Sequence, residues 1–438
     1  MEKDMDGQRP DWVLGGGQIS EVKFCEHYIH ENILLSRDGV FYTEEGRMFD
    51  ERPLREAIFD AIAPYVSSGL HKKVNSILEV MRLKARSDDP EDLCTRLDIL
   101  HVANGTYFIS EGQYIEQKCC CRHRLPVAYV PNAPKPERWL TFLEELLEPE
   151  DIPTLQEFMG YCLIPTNIGQ KMLIITGRGG EGKSRIGIVM KELLGRNMNT
   201  GSLSKIETNR FARADLEHLL LHLDDDLKTE ALAQTNYIKS IITAELPMDL
   251  EKKGVQSYQG MLNVRFMAFG NDTLQALHDR SYGFFRRQII LTTRERPVDR
   301  VDDPYLSQRL KAEKEGIFLW CLEGLERLIC NDFKFTISTR AGENLRRAMA
   351  EGNNLEEFMS SDGYFRFDPE GKISSRNLYQ VYQDWCEDNL LHPLSQRTFW
   401  SFLNQNARRF GLRQSTHINA GNGRYVRGFH GIRKATGL

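Results

Sequence analysis

The stretch IITGRGGEGKSRIGIV, residues 174–189, runs from an apolar segment through a glycine turn into Lys183 and Ser184, which open a helical pattern. Gly177, Gly182, Lys183 and Ser184 satisfy G-x-x-x-x-G-K-S after a strand and at a helix start, the setting this motif requires. Its glycines, with Gly179 and Gly180 inside the turn, let backbone N–H groups wrap the phosphates of a nucleotide. The helix N-terminus adds a favourable dipole. Lys183 is expected against the β- and γ-phosphates of ATP, and Ser184 on Mg2+.

Further on, LLLHLDDD closes an apolar strand with Asp224, Asp225 and Asp226. One acid there completes the Mg2+ shell while its neighbour polarises the attacking water. Asp224 is expected on the metal and Asp225 on the water, with Asp226 as the alternative one residue along. A third strand, VRFMAFGN, ends at Asn271, whose amide can hold the water or the γ-phosphate. In DRSYGFFRRQIIL, Arg286 and Arg287 precede another strand, too far along the chain to belong to the phosphate loop. An arginine delivered from there to a neighbouring subunit stabilises transition-state charge and ties hydrolysis to assembly. Between the acidic strand and Asn271, DLEKKGVQSYQG sets Lys252 and Lys253 before Gly254, which permits a tight turn, with VQSY as the return strand of a hairpin.

These groups need elements to hold them. From Lys171 to about Asn331, KMLIITG, LLLHLDDD, VRFMAFGN and RQIILTT are short apolar strands separated by helical patterns, which predicts a parallel α/β sheet. Two amphipathic helices, PERWLTFLEELLE and IPTLQEFMGYCLI, lead into it, and the proline-rich LPVAYVPNAPKP precedes them as an extended connector. The last part reads as helix, helix and hairpin, with Asn422-Gly423 at the turn. That order predicts a winged helix. The expected partition is a flexible tail (1–18), an α+β N-terminal domain acting as collar or partner-binding module (19–135) and a helical segment leading into the ATPase (136–170). The ATPase core (171–331), a helical linker (332–365) and a winged-helix DNA-binding domain (366–438) follow.

Charge supports the last assignment. The net charge of −5 argues against a protein that coats nucleic acid over its whole surface. From Leu391 onward, however, there is no Asp or Glu, and the arginines include Arg397, Arg408, Arg409, Arg424 and Arg427. These suit phosphate contact and base-edge reading. Phe399, Trp400, Phe402 and Phe410 follow a helical period and are expected in the core. The nine cysteines are odd in number and irregularly spaced, which suggests reduced thiols. CCCRH, with Cys119 to Cys121 and His123, lacks a second C-x-x-C pair to close a zinc shell, so a structural role is expected. No apolar stretch nears the ~20 residues that span a bilayer. The opening MEKDMDGQRP is unlike a secretory or transit signal, so no membrane and a cytoplasmic location are expected.

Phosphate loop, acidic strand, YIKSIITAE, the lysine segment, FMAFGN and DRSYGFFRRQIIL, in this order, resemble the superfamily 3 DNA helicases. The likeness is to the helicase half of phage and plasmid primase-helicases. It extends through ERWLTFLEELL and LQEFMGYCLIP ahead and LYQVYQDWCEDN behind, over roughly residues 20–435. The resemblance implies an AAA+ core assembled as a hexameric homo-oligomer that moves 3′→5′ on one DNA strand. It puts the channel-hairpin lysine at Lys252 or Lys253 and the finger arginine at Arg286. In such a ring the hairpin meets the strand's phosphates without reading sequence. Relatives often carry a primase domain ahead of the helicase; the residues before the connector are too few and show no acidic cluster suited to polymerase metals. Primer synthesis is therefore expected from a separate primase or polymerase. The expected function is an ATP- and Mg2+-dependent ring helicase for a phage, plasmid or integrated mobile element. It would hold single-stranded DNA in the ring and duplex or origin DNA on the winged helix. Its rival is a DNA-gated AAA+ switch or loader that remodels an assembly without processive unwinding.

Overall fold

A computed structural model describes residues 9–87, 96–227, 235–270, 282–297, 303–352, 354–389, 391, 393–419 and 425–435. The chain divides into two compact units, Met1–Leu345 and Arg346–Leu438.

Five strands form the centre of the first unit: in chain order Met172–Thr176, Met198–Thr200, Leu221–Leu227, Arg265–Gly270 and Gln288–Thr292. Across the sheet they lie second, third, fourth, first, fifth, and every neighbouring pair is parallel. A parallel sheet is covered on both faces, so its strands are continuous apolar runs rather than alternations. Every residue of Met172–Thr176 and of Arg265–Gly270 is buried. Arg265 is tolerated there because its guanidinium donates to the carbonyls of Asn263, Thr166 and Cys162 at 2.7, 3.0 and 3.2 Å.

Helix Ser184–Leu194 leaves the phosphate loop and buries Ile186, Val189, Met190, Leu193 and Leu194 in the core of the sheet. Helices Ile152–Tyr161 and Lys314–Cys330 cross where neither has a side chain. A Cβ on Gly160 would stand 2.3 Å from the Cys321 carbonyl oxygen, and one on Gly324 would stand 2.5 Å from that of Gln156. Close approach lets Trp139, on the preceding helix Glu137–Leu146, meet Trp320 edge-on at 5.7 Å.

The N-terminal boundaries differ from those expected. Residues 9–18 are no loose tail, because Trp12 and Val13 are 4% and 8% exposed. The Trp12 ring packs edge-on against Phe24 at 5.0 Å and Tyr65 at 5.3 Å. The glycine run that reads as looseness is a turn. Gly16 and Gly17 take positive φ between the antiparallel strands Val13–Gly15 and Gln18–Ile19. Nor is 19–135 one domain. Residues from Trp12 to Ala85 share their own core, built on helices Glu21–Glu31, Arg52–Ile62 and Leu70–Lys84. The meander Ile99–Val102, Gly105–Phe108 and Gln113–Ile115 instead buries Leu100, Val102, Tyr107 and Ile109 in the core of the parallel sheet.

The second unit runs helix Asn354–Ser360, strand Phe365–Ser374, helices Ser375–Asp388 and Gln396–Asn406, then strands Arg413–Asn419 and Tyr425–Lys434. Its three strands form an antiparallel sheet with Tyr425–Lys434 in the middle. Leu355, Phe358 and Met359 of the first helix fill the same core as Leu378, Tyr382, Trp385 and Phe399. The unit therefore begins at Arg346, ahead of the boundary expected at 366. The turn expected at Asn422-Gly423 lies outside the described residues, though the flanking Asn419 and Tyr425 do pair. Among the described residues no helix is long and apolar enough to cross a membrane.

Candidate nucleotide-binding site

The loop between Thr176 and Ser184 is built on backbone conformations that L side chains resist. Gly179, Gly180 and Gly182 have φ of 104°, 81° and 111°. Gly177 has no room for a side chain, since a Cβ would stand 2.3 Å from Thr293 Oγ1 and 2.9 Å from Lys183 Nζ. Inside this loop lies Glu181, at a position the motif leaves unspecified. The residue is 4% exposed; its carboxylate accepts from the Gly179 N–H at 2.8 Å and from Lys183 Nζ at 2.9 Å. Burial pulls the carboxyl pKa upward, but Lys183 and the loop N–H groups outweigh it and hold the group below its ordinary value. An anion thus occupies donors that this motif directs at phosphate.

A cavity of about 730 Å3 opens over the loop, and its wall includes Gly179 to Arg185, Asp225, Asp226, Gly270, Arg296 and Asp303. Asp224, the residue expected on the metal, is the buried one of the three acids. Asp224 is 5% exposed, and its carboxylate is taken up by the N–H groups of Leu203 at 2.8 Å and Asp226 at 3.3 Å. Burial raises its pKa. The pairing register of the acidic strand shifts between Asp224 and Leu227, which breaks strict alternation and leaves both Asp225 and Asp226 exposed on the cavity wall. With the exposed Ser184 they form a hard oxygen donor set suited to Mg2+. Asn271 lies outside the described residues. The preceding Gly270 lies on the cavity wall and pairs with Thr176 on one side and Leu227 on the other. Sequence reasoning missed Glu181 and also Arg296, whose guanidinium donates to the Gly180 carbonyl at 3.4 Å.

Arg286 and Arg287 lie at the opposite end of the sheet. Strand Gln288–Thr292 starts beside Met172, whose N–H donates to the Arg287 carbonyl at 2.8 Å. It ends beside the phosphate loop, where the Thr293 N–H donates to Thr176. The intervening strand spans about 17 Å at ~3.3 Å per residue. Arg286 is exposed, whereas Arg287 is half-buried and donates to the Gly283 carbonyl.

Lys252 and Lys253 do sit in a hairpin, between the paired strands Met248–Leu250 and Tyr258–Gly260. They are not equivalent. Lys252 Nζ bonds Glu217 Oε2 at 2.6 Å and lies 5.0 Å from the centre of the Tyr258 ring, while Lys253 is exposed. In the second unit, Arg397, Arg408 and Arg427 are exposed, and Arg409 lies over the Phe410 ring at 5.2 Å. Arg424 lies outside the described residues. Phe399 is fully buried, and Trp400, Phe402 and Phe410 pack against the same core. The cysteine cluster occupies irregular chain, with Cys120 and Cys121 buried and Cys119 Sγ 3.7 Å from His101 Nδ1.

Residues 175–287 match a family model described as "Family of unknown function (DUF5906)". No curated protein matches the chain. Among solved structures, the chain is similar to two apo structures of the C-terminal region of NrS-1, residues 305–718. One has a TM-score of 0.51 at 9% identity, covering 94% of this chain and 99% of that one. The other has a TM-score of 0.50 at 10% identity, with the same coverage of 94% and 99%. At such identity the likeness is one of fold, extending over nearly the whole chain.

Proposed function

We propose that this chain is an ATP-dependent DNA helicase of the superfamily 3, AAA+ type, working as a homo-oligomeric ring in the replication of a phage, plasmid or integrated element. One observation carries the reading. The loop already closes Gly179 N–H and Lys183 on a carboxylate, beneath a cavity walled by Asp225 and Asp226. In the bound state the phosphates of ATP replace Glu181, and Lys183 faces the β- and γ-phosphates. Ser184 and Asp225 would hold Mg2+, which neutralises phosphate charge. Asp226 then orients the attacking water, one residue later than the sequence alone suggests. Arg286 is too far from its own loop to serve it, so it acts on the ATP of a neighbouring subunit.

Lys253, free of the ion pair that ties Lys252, grips the phosphates of a single strand in the channel. The second unit has the helix–strand–helix–helix–strand–strand order of a winged helix, and its exposed arginines suit duplex or origin DNA. A forked duplex tests the reading. With ATP and Mg2+ the protein is expected to displace a strand, faster when the fork carries a 3′ tail, and Lys183→Ala is expected to lose both displacement and hydrolysis. Hydrolysis stimulated by single-stranded DNA with no displacement at any protein concentration would leave the DNA-gated switch in its place.

A further inference from the structure

A second cavity, of about 500 Å3, lies between the N-terminal module and the sheet domain of the first unit. It falls within the ~300–1,000 Å3 range of small-ligand sites. It is far from the phosphate loop: Arg196 on its wall follows helix Ser184–Leu194, whose 11 residues start at the loop. Arginines gather on it from three separate segments: Arg47, Arg122 with Arg124, and Arg196. Gly46 makes the convergence possible, because a Cβ there would press on Arg124 Cβ at 3.3 Å.

The charge on this wall is only partly balanced from within. Its two acids make their ion pairs elsewhere, Glu45 with Lys118 at 2.5 Å and Asp50 with Arg52 at 2.7 Å, although Asp50 also feels the charge of Arg196. Among the described residues, Arg47, Arg122 and Arg196 have no carboxylate within ion-pair distance. The Nε atoms of Arg47, Arg122 and Arg124 are buried without a hydrogen-bond partner. Arg124 spends its terminal nitrogens on the carbonyls of Val102 and Cys119, so it braces the wall. Beside the arginines the wall is apolar, with Phe49 44% exposed and the guanidiniums of Arg47 and Arg196 each 5.4 Å from its ring centre. Clustered guanidiniums outside any ion pair favour an anion with several acceptor oxygens, and guanidinium geometry matches phosphate. An exposed aromatic beside that charge suits a nucleoside.

We propose that this pocket is a second phosphate site, which binds one phosphorylated nucleoside unit presented within a single-stranded nucleic acid or as a free nucleotide. The inference stands apart from the phosphate loop and is tested with that loop disabled by Lys183→Ala. A photoreactive benzoylphenylalanine replaces Phe49 in the full chain, and a matched protein carries it at the exposed Phe59. Each is irradiated with radiolabelled single-stranded oligothymidylate and, separately, with radiolabelled thymidine monophosphate. Cross-linking from position 49 to the oligonucleotide alone identifies a strand as the source, and cross-linking to the monophosphate identifies a free nucleotide. Either should be weaker from position 59 and fall about tenfold in Arg47→Gln/Arg122→Gln, as expected when charge-assisted hydrogen bonds to phosphate are removed. Arg196→Gln, exposed and outside both cores, is read alongside in case the double variant melts early. No cross-link above that of position 59 with either probe, in protein that melts like its parent, overturns the proposal. So does cross-linking that Arg196→Gln and a well-folded double variant leave unchanged.

Discussion

In the proposed nucleotide complex, the Glu181 carboxylate has to leave Lys183 before the phosphates of ATP can meet it. The affinity of the loop is therefore its intrinsic affinity reduced by the fraction of molecules in which the donors are free. Glu181→Gln removes the competing charge. It is expected to tighten binding of a fluorescent ATP analogue about tenfold, the equivalent of roughly 1.5 kcal/mol for one charge-assisted hydrogen bond; equal or weaker binding would show that Glu181 does not compete. Its pH dependence has a definite sign. Because the folded-state pKa is held down, the carboxylate stabilises the empty loop fully above its unfolded value and loses that effect as pH falls through the folded one. The melting difference between wild type and Glu181→Gln should stay constant above about pH 5 and shrink below about pH 4.3. The aspartates separate in the same manner. Asp224→Asn can still accept from the Leu203 N–H and sheds a buried charge, so near-wild-type ATP turnover is expected. Asp226→Asn should lose about 100-fold, the lower range for a group that handles the attacking water's proton. Steady-state hydrolysis assays decide between them, and the reverse ranking would restore Asp224 to the chemistry.

The hairpin Met248–Leu250 and Tyr258–Gly260 gives its two lysines different work. Lys252→Ala leaves Glu217 with the Tyr258 hydroxyl at 2.6 Å and His218 Nε2 at 3.6 Å, and should cost about 1 kcal/mol of stability after discounting for solvent. Lys253→Ala should melt like wild type and keep basal hydrolysis, yet lose most of its stimulation by single-stranded DNA. If Lys252→Ala alone removes stimulation without lowering the melting temperature, the roles are exchanged. How far such elements can be read from sequence depends on whether their signal is local. The phosphate loop and its strands are legible because a buried parallel strand is a run of apolar letters and the motif fixes its own neighbours. Glu181 is invisible there, since the motif accepts any residue at that position. The register among Asp224, Asp225 and Asp226 is equally hidden, because the irregularity after Asp224 changes which side chain faces the cavity. Trp12 is obscured for a related reason: a glycine turn looks like looseness until the tryptophan ahead of it finds Phe24 and Tyr65. The arginine pocket draws on segments around 47, 122 and 196, which no window of sequence brings together.

At the scale of the whole molecule, the proposed role of Arg286 would make the assembled protein the unit of activity. Arg286→Ala and Lys183→Ala should each be inactive alone, and mixing them should restore part of the hydrolysis, because each damages a different side of a shared site. No recovery in verified mixed assemblies would mean a site completed within one subunit. The second unit should act through its charge. Arg408→Ala with Arg427→Ala is expected to weaken duplex binding and flatten its log–log salt dependence by about 0.9 for each phosphate that the variant no longer neutralises. An unchanged slope would leave those arginines as solvated surface. One consequence of the fifth strand has to do with timing. Gln288–Thr292 begins next to Arg286 and ends hydrogen-bonded beside Thr176 at the phosphate loop. In the proposed ring, this single stiff rod would have a different ATP at each end, one held by its own subunit and one held by the next. Loss of a γ-phosphate at one end would shift the rod against the other, so successive subunits would fire as a wave passed around the ring rather than independently.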